Sequence, residues 1–261
     1  MTLSSKAINK NTSLQKPSHC VDCENCSMQA ICQPIGSANQ AIDLTNNYLT
    51  RRVEVSTEQN SSQPLNPSTG AALFEQATPL TAIFAVCSGT FKLCQKNDED
   101  IEKIVGFRFP GELMGEDALF LETYNYSAIA LGDNSVCEVF VEPLSACSQL
   151  APELQQNLIV LLTKQSYEQQ RNAQAITGKK SADSLLAAFL LNICQRNAKY
   201  SGNETEIELS ISRQDIACFL GIRRETLSRL LSKFQHEQLI SLNRKQLSLL
   251  SINHLKQLAN Q

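Results

Sequence analysis

The chain is 261 residues long, 42% hydrophobic, and carries 26 acidic against 23 basic side chains for a net charge of −3. That length and apolar fraction suit one large or two modest packed domains and exclude a disordered chain. No uncharged apolar run reaches the roughly 20 residues that span a bilayer, and the opening MTLSSKAINKNT lacks the apolar stretch of a secretory leader. The expectation is a cytoplasmic protein with reduced thiols, in which clustered cysteines serve a metal rather than disulfides. An exported, disulfide-bonded protein is the alternative.

Residues 1–40 read as an irregular, polar arm around HCVDCENCSMQAIC, which places Cys20, Cys23, Cys26 and Cys32 within thirteen residues. Thiolates bunched on short loops can hold a soft metal centre, and core cysteines have no reason to be so dense. His19 beside them reads equally as a loop-tuning or a surface residue. Residues 41–150 are rich in short apolar or alternating runs broken by glycine and proline, such as AIFAVCSGTFKLC, IEKIVGFRFPGEL and SVCEVFV. They predict an antiparallel barrel or sandwich. STEQNSSQPLNPSTG reads as an exposed loop, and Asn97 to Glu102 as an acidic turn between strands.

From Pro152 the period becomes helical, with Leu154, Leu158, Leu161, Leu162 and Gln165 recurring at spacings of three and four over residues 151–178. Such a helix can pair with its copy in a homodimer or simply pack on the barrel; its second half is polar, which weakens a pairing seam. Gly178-Lys179-Lys180 reads as a hinge into residues 179–261, whose first helix is expected from Ala182 to Arg196.

Within that last part, Ile211, Ile216, Ala217, Phe219 and Leu220 give a short helix one apolar side, and Gly221 permits a tight turn. Ile222, Leu227, Leu230, Leu231 and Phe234 form the buried stripe of the next helix. Its other side presents Arg224, Glu225, Ser228 and Arg229. A helix so arranged can read the major groove, with Arg229 donating to guanine and Glu225 accepting from cytosine. Arg223 and Lys233 suit the phosphate backbone, with Thr226 serving the backbone or closing the turn. An ordinary amphipathic surface helix has the same spacing. From Gly221 to Lys245 basic residues outnumber acidic ones by four, while the rest of the chain is net acidic.

These runs together resemble the fumarate and nitrate reduction regulator branch of the cyclic-AMP receptor protein superfamily, over roughly residues 20 to 255. The residues that carry the likeness are C-x2-C-x5-C at Cys23, Cys26 and Cys32, SGTFK at Ser88 to Lys92, GELMG at Gly111 to Gly115, SVCE at Ser135 to Glu138, LAAF at Leu186 to Phe189, and RRETLSRLL at Arg223 to Leu231. The resemblance implies an α+β protein: a jelly-roll barrel of the cyclic-nucleotide-binding kind, a dimerisation helix and a winged helix-turn-helix. It further implies an oxygen-labile [4Fe-4S] cluster on Cys23, Cys26, Cys32 and Cys137. By itself Cys137 reads as a buried strand cysteine. Cys20 is extra and allows a shifted ligand register, and four thiolates also suit zinc. The remaining cysteines, Cys87, Cys94, Cys147, Cys194 and Cys218, read as small buried hydrophobes.

The function implied by this resemblance is that of an oxygen-responsive regulator, activator or repressor. It would bind two-fold double-stranded DNA sites and, as an activator, contact RNA polymerase. Nucleotide-binding relatives place an arginine before a Ser-Ala pair, whereas Tyr126 precedes Ser127-Ala128 here, so no cyclic nucleotide is expected. The branch usually has a small apolar residue where Arg224 stands, so the half-site is expected to keep a G-A core with an outer preference shifted towards guanine. No nucleophile with a placed base and no nucleotide-triphosphate loop is present, which argues against an enzyme. The competing readings are a cluster-free regulator, constitutive or thiol-oxidation-sensing, and an iron–sulfur redox protein on the same scaffold.

Overall fold

A computed structural model describes residues 50–55, 71–140, 152–178 and 181–260. Eight strands come first: β1 (Thr50–Val55), β2 (Ala72–Phe74), β3 (Ala82–Ser88), β4 (Phe91–Lys96), β5 (Glu102–Arg108), β6 (Leu113–Met114), β7 (Ser127–Ala130) and β8 (Asn134–Phe140). They form two antiparallel four-stranded sheets, ordered β1-β8-β3-β6 and β2-β7-β4-β5. Between them lie Phe74, Phe84, Phe91, Leu93, Met114, Tyr124, Tyr126 and Val136, all buried. The whole of β3 is buried, which explains why its sequence is an apolar run rather than an alternation.

The turn from β3 to β4 depends on Gly89, at φ +83°. A Cβ there would lie 1.8 Å from the Asn134 side-chain oxygen, so both the backbone and the neighbour demand glycine. In the acidic turn, the Asn97 side chain accepts from the Glu99 and Ile101 N–H groups at 3.2 and 2.8 Å. That arrangement closes the β4–β5 connection locally. A short helix, α1 (Ala118–Leu121), leaves Phe120 89% exposed.

The long helix α2 (Pro152–Ile176) divides its apolar residues between two faces. Leu161 and Gln165 are buried, whereas Ile159, Val160 and Tyr167 stand in solvent. At about 100° per residue these exposed three share the side opposite Leu161. The stripe expected from spacing thus includes the helix's own packing face, and the face open to a partner is a different one. Gln169 hydrogen-bonds Glu116 below it.

Helix α3 (Ala182–Ser201) starts at a capping box made by Ser181 and Ser184. It runs past the expected end at Arg196, because nothing breaks it before Gly202 supplies the left-handed cap at φ +70°. After it come β9 (Glu206–Glu208), α4 (Arg213–Leu220), α5 (Arg224–His236), the hairpin of β10 (Ile240–Asn243) and β11 (Gln246–Leu249), and α6 (Ile252–Ala259). The last three strands make one small sheet, ordered β10-β11-β9.

Phe107 and Phe109 of the barrel belong to the same buried cluster as Phe189, Leu227, Leu231 and Phe234. Ring centroids of Phe107 and Phe219 lie 5.2 Å apart, and those of Phe107 and Phe189 6.2 Å apart. The C-terminal helices and the end of β5 therefore share one apolar core.

Candidate nucleic-acid interface and cysteine site

Helix α4 begins on Ser212, whose hydroxyl accepts the Asp215 N–H at 3.0 Å. It ends at Gly221 with φ +66°, and the Ile222 N–H returns to the Ala217 carbonyl at 3.0 Å. That turn sets α5 against α4. Leu227, Leu230, Leu231 and Phe234 of α5 are buried. Arg224, Glu225 and Arg229 are exposed and Ser228 is half-buried, within one arc of roughly 140°. Arg223 sits at the N-cap, exposed, and Thr226 lies towards the flank. Lys233 is engaged by Asp183, at the start of α3, at 2.5 Å. That contact raises the Lys233 pKa through hydrogen bonding and charge, and a phosphate would have to compete with it.

The register Asn243↔Gln246 leaves Arg244-Lys245 as a two-residue turn, with Arg244 at φ +53°. Both side chains are exposed at the tip of the wing. In the sequence they counted only as charge, because nothing in it says that a hairpin presents them. Arg213 is likewise exposed, at the start of α4.

Among the described residues, two ion pairs join this module to the barrel. Arg196 of α3 donates to both carboxylate oxygens of Glu112, at 2.8 and 2.6 Å, and to the Phe107 carbonyl at 2.6 Å. Its guanidinium also lies 4.8 Å from the Phe109 ring centre. Lys92 of β4 meets Asp215 of α4 at 3.1 Å. Burial opposes ionisation of Glu112, but Arg196, Arg108 and the Phe109 N–H outweigh it and hold its carboxyl below the ordinary glutamate value. Glu112, within the GELMG run, thus has a structural partner in Arg196.

Tyr126 is buried, accepts the Gly115 N–H at 2.8 Å, and packs by Phe74 with centroids 5.7 Å apart. Burial pushes its phenol pKa up. Ser127 accepts the Gln76 N–H at 2.9 Å.

Among the candidate ligands, Cys137 lies on β8, opposite Ala85 of β3 and Arg52 of β1. Its side chain is partly exposed, and its Sγ is 3.2 Å from that of Cys87. Cys20, Cys23, Cys26, Cys32 and His19 lie outside the described residues, as does Cys147. Among the described residues no three or more His, Cys, Asp or Glu side chains gather in a metal-sized group. Burial raises the thiol pKa of Cys94 and of Cys194 to about 12, with Glu102 adding to the effect at Cys94. Cys218 departs from the buried reading. It is exposed on α4, because Ile216, Ala217 and Leu220 take that helix's inner side.

A two-sheet barrel coupled through a shared core to a helix-turn-helix with a wing defines a DNA-binding transcriptional regulator of the cyclic-AMP receptor type. Residues 66–150 match the family described as cyclic nucleotide-binding domain, and residues 186–258 match the Crp-like helix-turn-helix domain. The chain is 31% identical to the transcriptional regulatory protein btr of Bordetella pertussis, over 92% of this chain and 93% of that one. It is 32% identical to the transcriptional activator protein anr of Pseudomonas aeruginosa, over 91% and 92% of the two chains. The fumarate and nitrate reduction regulatory protein of Escherichia coli is 30% identical over 92% and 90%. In fold, FixK2 from Bradyrhizobium japonicum superposes with a TM-score of 0.65 at 20% identity, covering 80% of this chain and 96% of that one. The chain belongs to the fumarate and nitrate reduction regulator family of the cyclic-AMP receptor superfamily. It is a transcriptional regulator and not an enzyme. Among the described residues no helix is long and apolar enough to cross a membrane.

Proposed function

We propose that this regulator controls gene expression in response to oxygen, as a cytoplasmic homodimer whose DNA binding depends on a [4Fe-4S] cluster. The observation that carries this reading is the placement of Cys137: a partly exposed thiol on a barrel strand, in a chain whose other four candidate thiols are bunched in one arm. Cys23, Cys26, Cys32 and Cys137 would hold the cluster, with Cys20 as a substitute for one arm ligand. Four thiolates are the donor set such a cubane takes. When bound, the cluster supplies a centre that oxygen degrades.

The chain's own residues do the rest. Three thiolates on the arm fix only the arm, and a fourth on β8 ties it to the body, so ligation becomes a tertiary constraint. The open face of α2, with Ile159, Val160 and Tyr167, supports pairing with a second copy. Two α5 helices then meet successive major grooves of a two-fold site, through Arg224, Glu225, Ser228 and Arg229. Arg223, Thr226 and Lys233 serve the backbone. Releasing the arm weakens pairing, and losing one of two linked binding modules removes most of the affinity. RNA polymerase contact through the acidic turn at Asn97 to Glu102 fits an activator. Burial of Tyr126 and the engagement of Glu112 by Arg196 support a barrel without a cyclic nucleotide.

An anaerobic absorption spectrum with iron and sulfide analysis, repeated after timed exposure to air, tests the reading. About four irons and four sulfides per chain, bleached by oxygen together with loss of specific DNA binding, are expected. Colourless protein after anaerobic reconstitution, with operator binding undiminished, would remove the oxygen sensor and leave a cluster-free regulator.

A further inference from the structure

Cys87 has no part in the proposed ligand set, yet among the described residues it is the thiol that lies against Cys137. The two residues are fifty apart in sequence, and their sulfurs lie 3.2 Å apart across the β3–β8 pairing. The register between these strands slips at this point: Val86 faces Val136, Ser88 faces Ser135, and Cys87 is the extra residue of the bulge. The bulge is held by a hydrogen bond between the Ser88 and Ser135 hydroxyls at 2.8 Å. The thiols differ in access. Cys87 is 3% exposed, whereas Cys137 is partly open to solvent.

We propose that Cys87 and Cys137 form a peroxide-reactive dithiol, in which the exposed sulfur is oxidised first and the buried one resolves it. The sulfur of Cys137 attacks the terminal oxygen of a hydroperoxide. The S–O bond forms, the O–O bond breaks, and the remaining oxygen leaves as alcohol, or as water from hydrogen peroxide. The Cys87 sulfur then attacks the sulfenic sulfur. The S–S bond forms, the S–O bond breaks, and the hydroxyl leaves as water with the Cys87 proton. Two thiols lose two electrons, and the hydroperoxide gains them. The pairing itself is independent of any cluster. Its consequence rests on the ligand reading above: a disulfide withdraws Cys137 from the thiolate set, so oxidised apoprotein cannot rebuild the centre until a reductant reopens the pair.

The test uses the full chain, reduced and free of metal, treated anaerobically with hydrogen peroxide, alkylated and digested without reduction for mass spectrometry. The expected product is a Cys87–Cys137 linked peptide, in about tenfold excess or more over any other pairing, because the two sulfurs already lie together. In Cys87→Ser and Cys87→Ala the link disappears, and Cys137 accumulates as a sulfenic acid trapped by dimedone. Pairing of Cys137 in the unsubstituted chain mainly with Cys20, Cys23, Cys26 or Cys32, or no link involving Cys137 at all, would overturn the proposal. Reconstitution is then compared with and without a prior reductant step. Peroxide-treated protein should regain the cluster absorption only after reduction, and recovery without reduction from a linked pair would refute the consequence. If untreated, reduced protein also takes up no cluster, the ligand reading fails while the peptide map still decides the dithiol.

Discussion

Arg196→Ala should loosen the joint between barrel and DNA-binding module more than any surface change of equal size. Both side chains of the Arg196–Glu112 pair are 12% exposed, and the guanidinium makes three hydrogen bonds within 2.8 Å across the joint. Removing one partner of a buried pair leaves the other charge uncompensated, at a cost of about 3–5 kcal/mol. For a chain of this size each kcal/mol lowers the melting temperature by roughly 2–4 °C, so a fall of about 6–20 °C is expected. Glu112→Gln should cost less than the arginine deletion, since an amide keeps an acceptor for Arg196.

The pH dependence follows from the lowered carboxyl pKa of Glu112. A depressed pKa contributes stability that is complete above the unfolded value, near 4.5, and is lost as pH falls through the folded value. In Arg196→Ala burial loses its main counterweight, so Glu112 takes up a proton at a higher pH than in the unsubstituted protein. The gap between the two proteins should therefore be largest at neutral pH and narrow as pH falls from that raised folded pKa towards the lowered one. Thermal melts from pH 7 to 3, with the double substitution completing a cycle, measure this. A neutral-pH difference below about 1 kcal/mol, as surface pairs give, would refute the argument that burial makes this pair strong. So would a gap that widens as pH falls from 7 to 3.

Other outcomes can be checked independently. DNA selection should return a half-site with guanine favoured outside the G-A core, and Arg224→Ala should relax that position by about 1–3 kcal/mol while sparing the core. A half-site with no guanine preference outside the G-A core, the same in both proteins, would show that Arg224 reads no base. Gly89→Ala should lower the melting temperature sharply, because φ +83° and the 1.8 Å approach to Asn134 act together. A neutral effect there would mean the β3–β4 turn relaxes freely. Native alkylation at pH 8 should modify Cys218 while Cys94 and Cys194 stay unlabelled for as long as the protein is folded, since their thiols titrate only near 12. Equal labelling of all three would contradict their burial.

Much of this protein was legible in the chain itself wherever the physics is local. The change from short apolar runs to a period of three and four marks the passage from strands to helices, because side-chain direction repeats every two residues in one and every 3.6 in the other. Gly221 ends one helix and Leu227, Leu230, Leu231 and Phe234 orient the next, so the outward set of Arg224, Glu225, Ser228 and Arg229 follows from spacing alone. Gly89 announces its turn for the same reason. Tertiary structure decided what depends on distant partners. Spacing put Leu161 in one stripe with Leu154, Leu158 and Leu162, but only packing decides that Leu161 is buried while Ile159, Val160 and Tyr167 are exposed. Glu112 and Arg196 are 84 residues apart and Lys92 and Asp215 are 123 apart, and neither pairing leaves a trace in local pattern. Cys87 reads as an ordinary core cysteine until a bulge brings it against Cys137. Residue type and period are properties of neighbours along the chain, whereas the meeting of two side chains across a sheet or a joint is set by how whole elements pack.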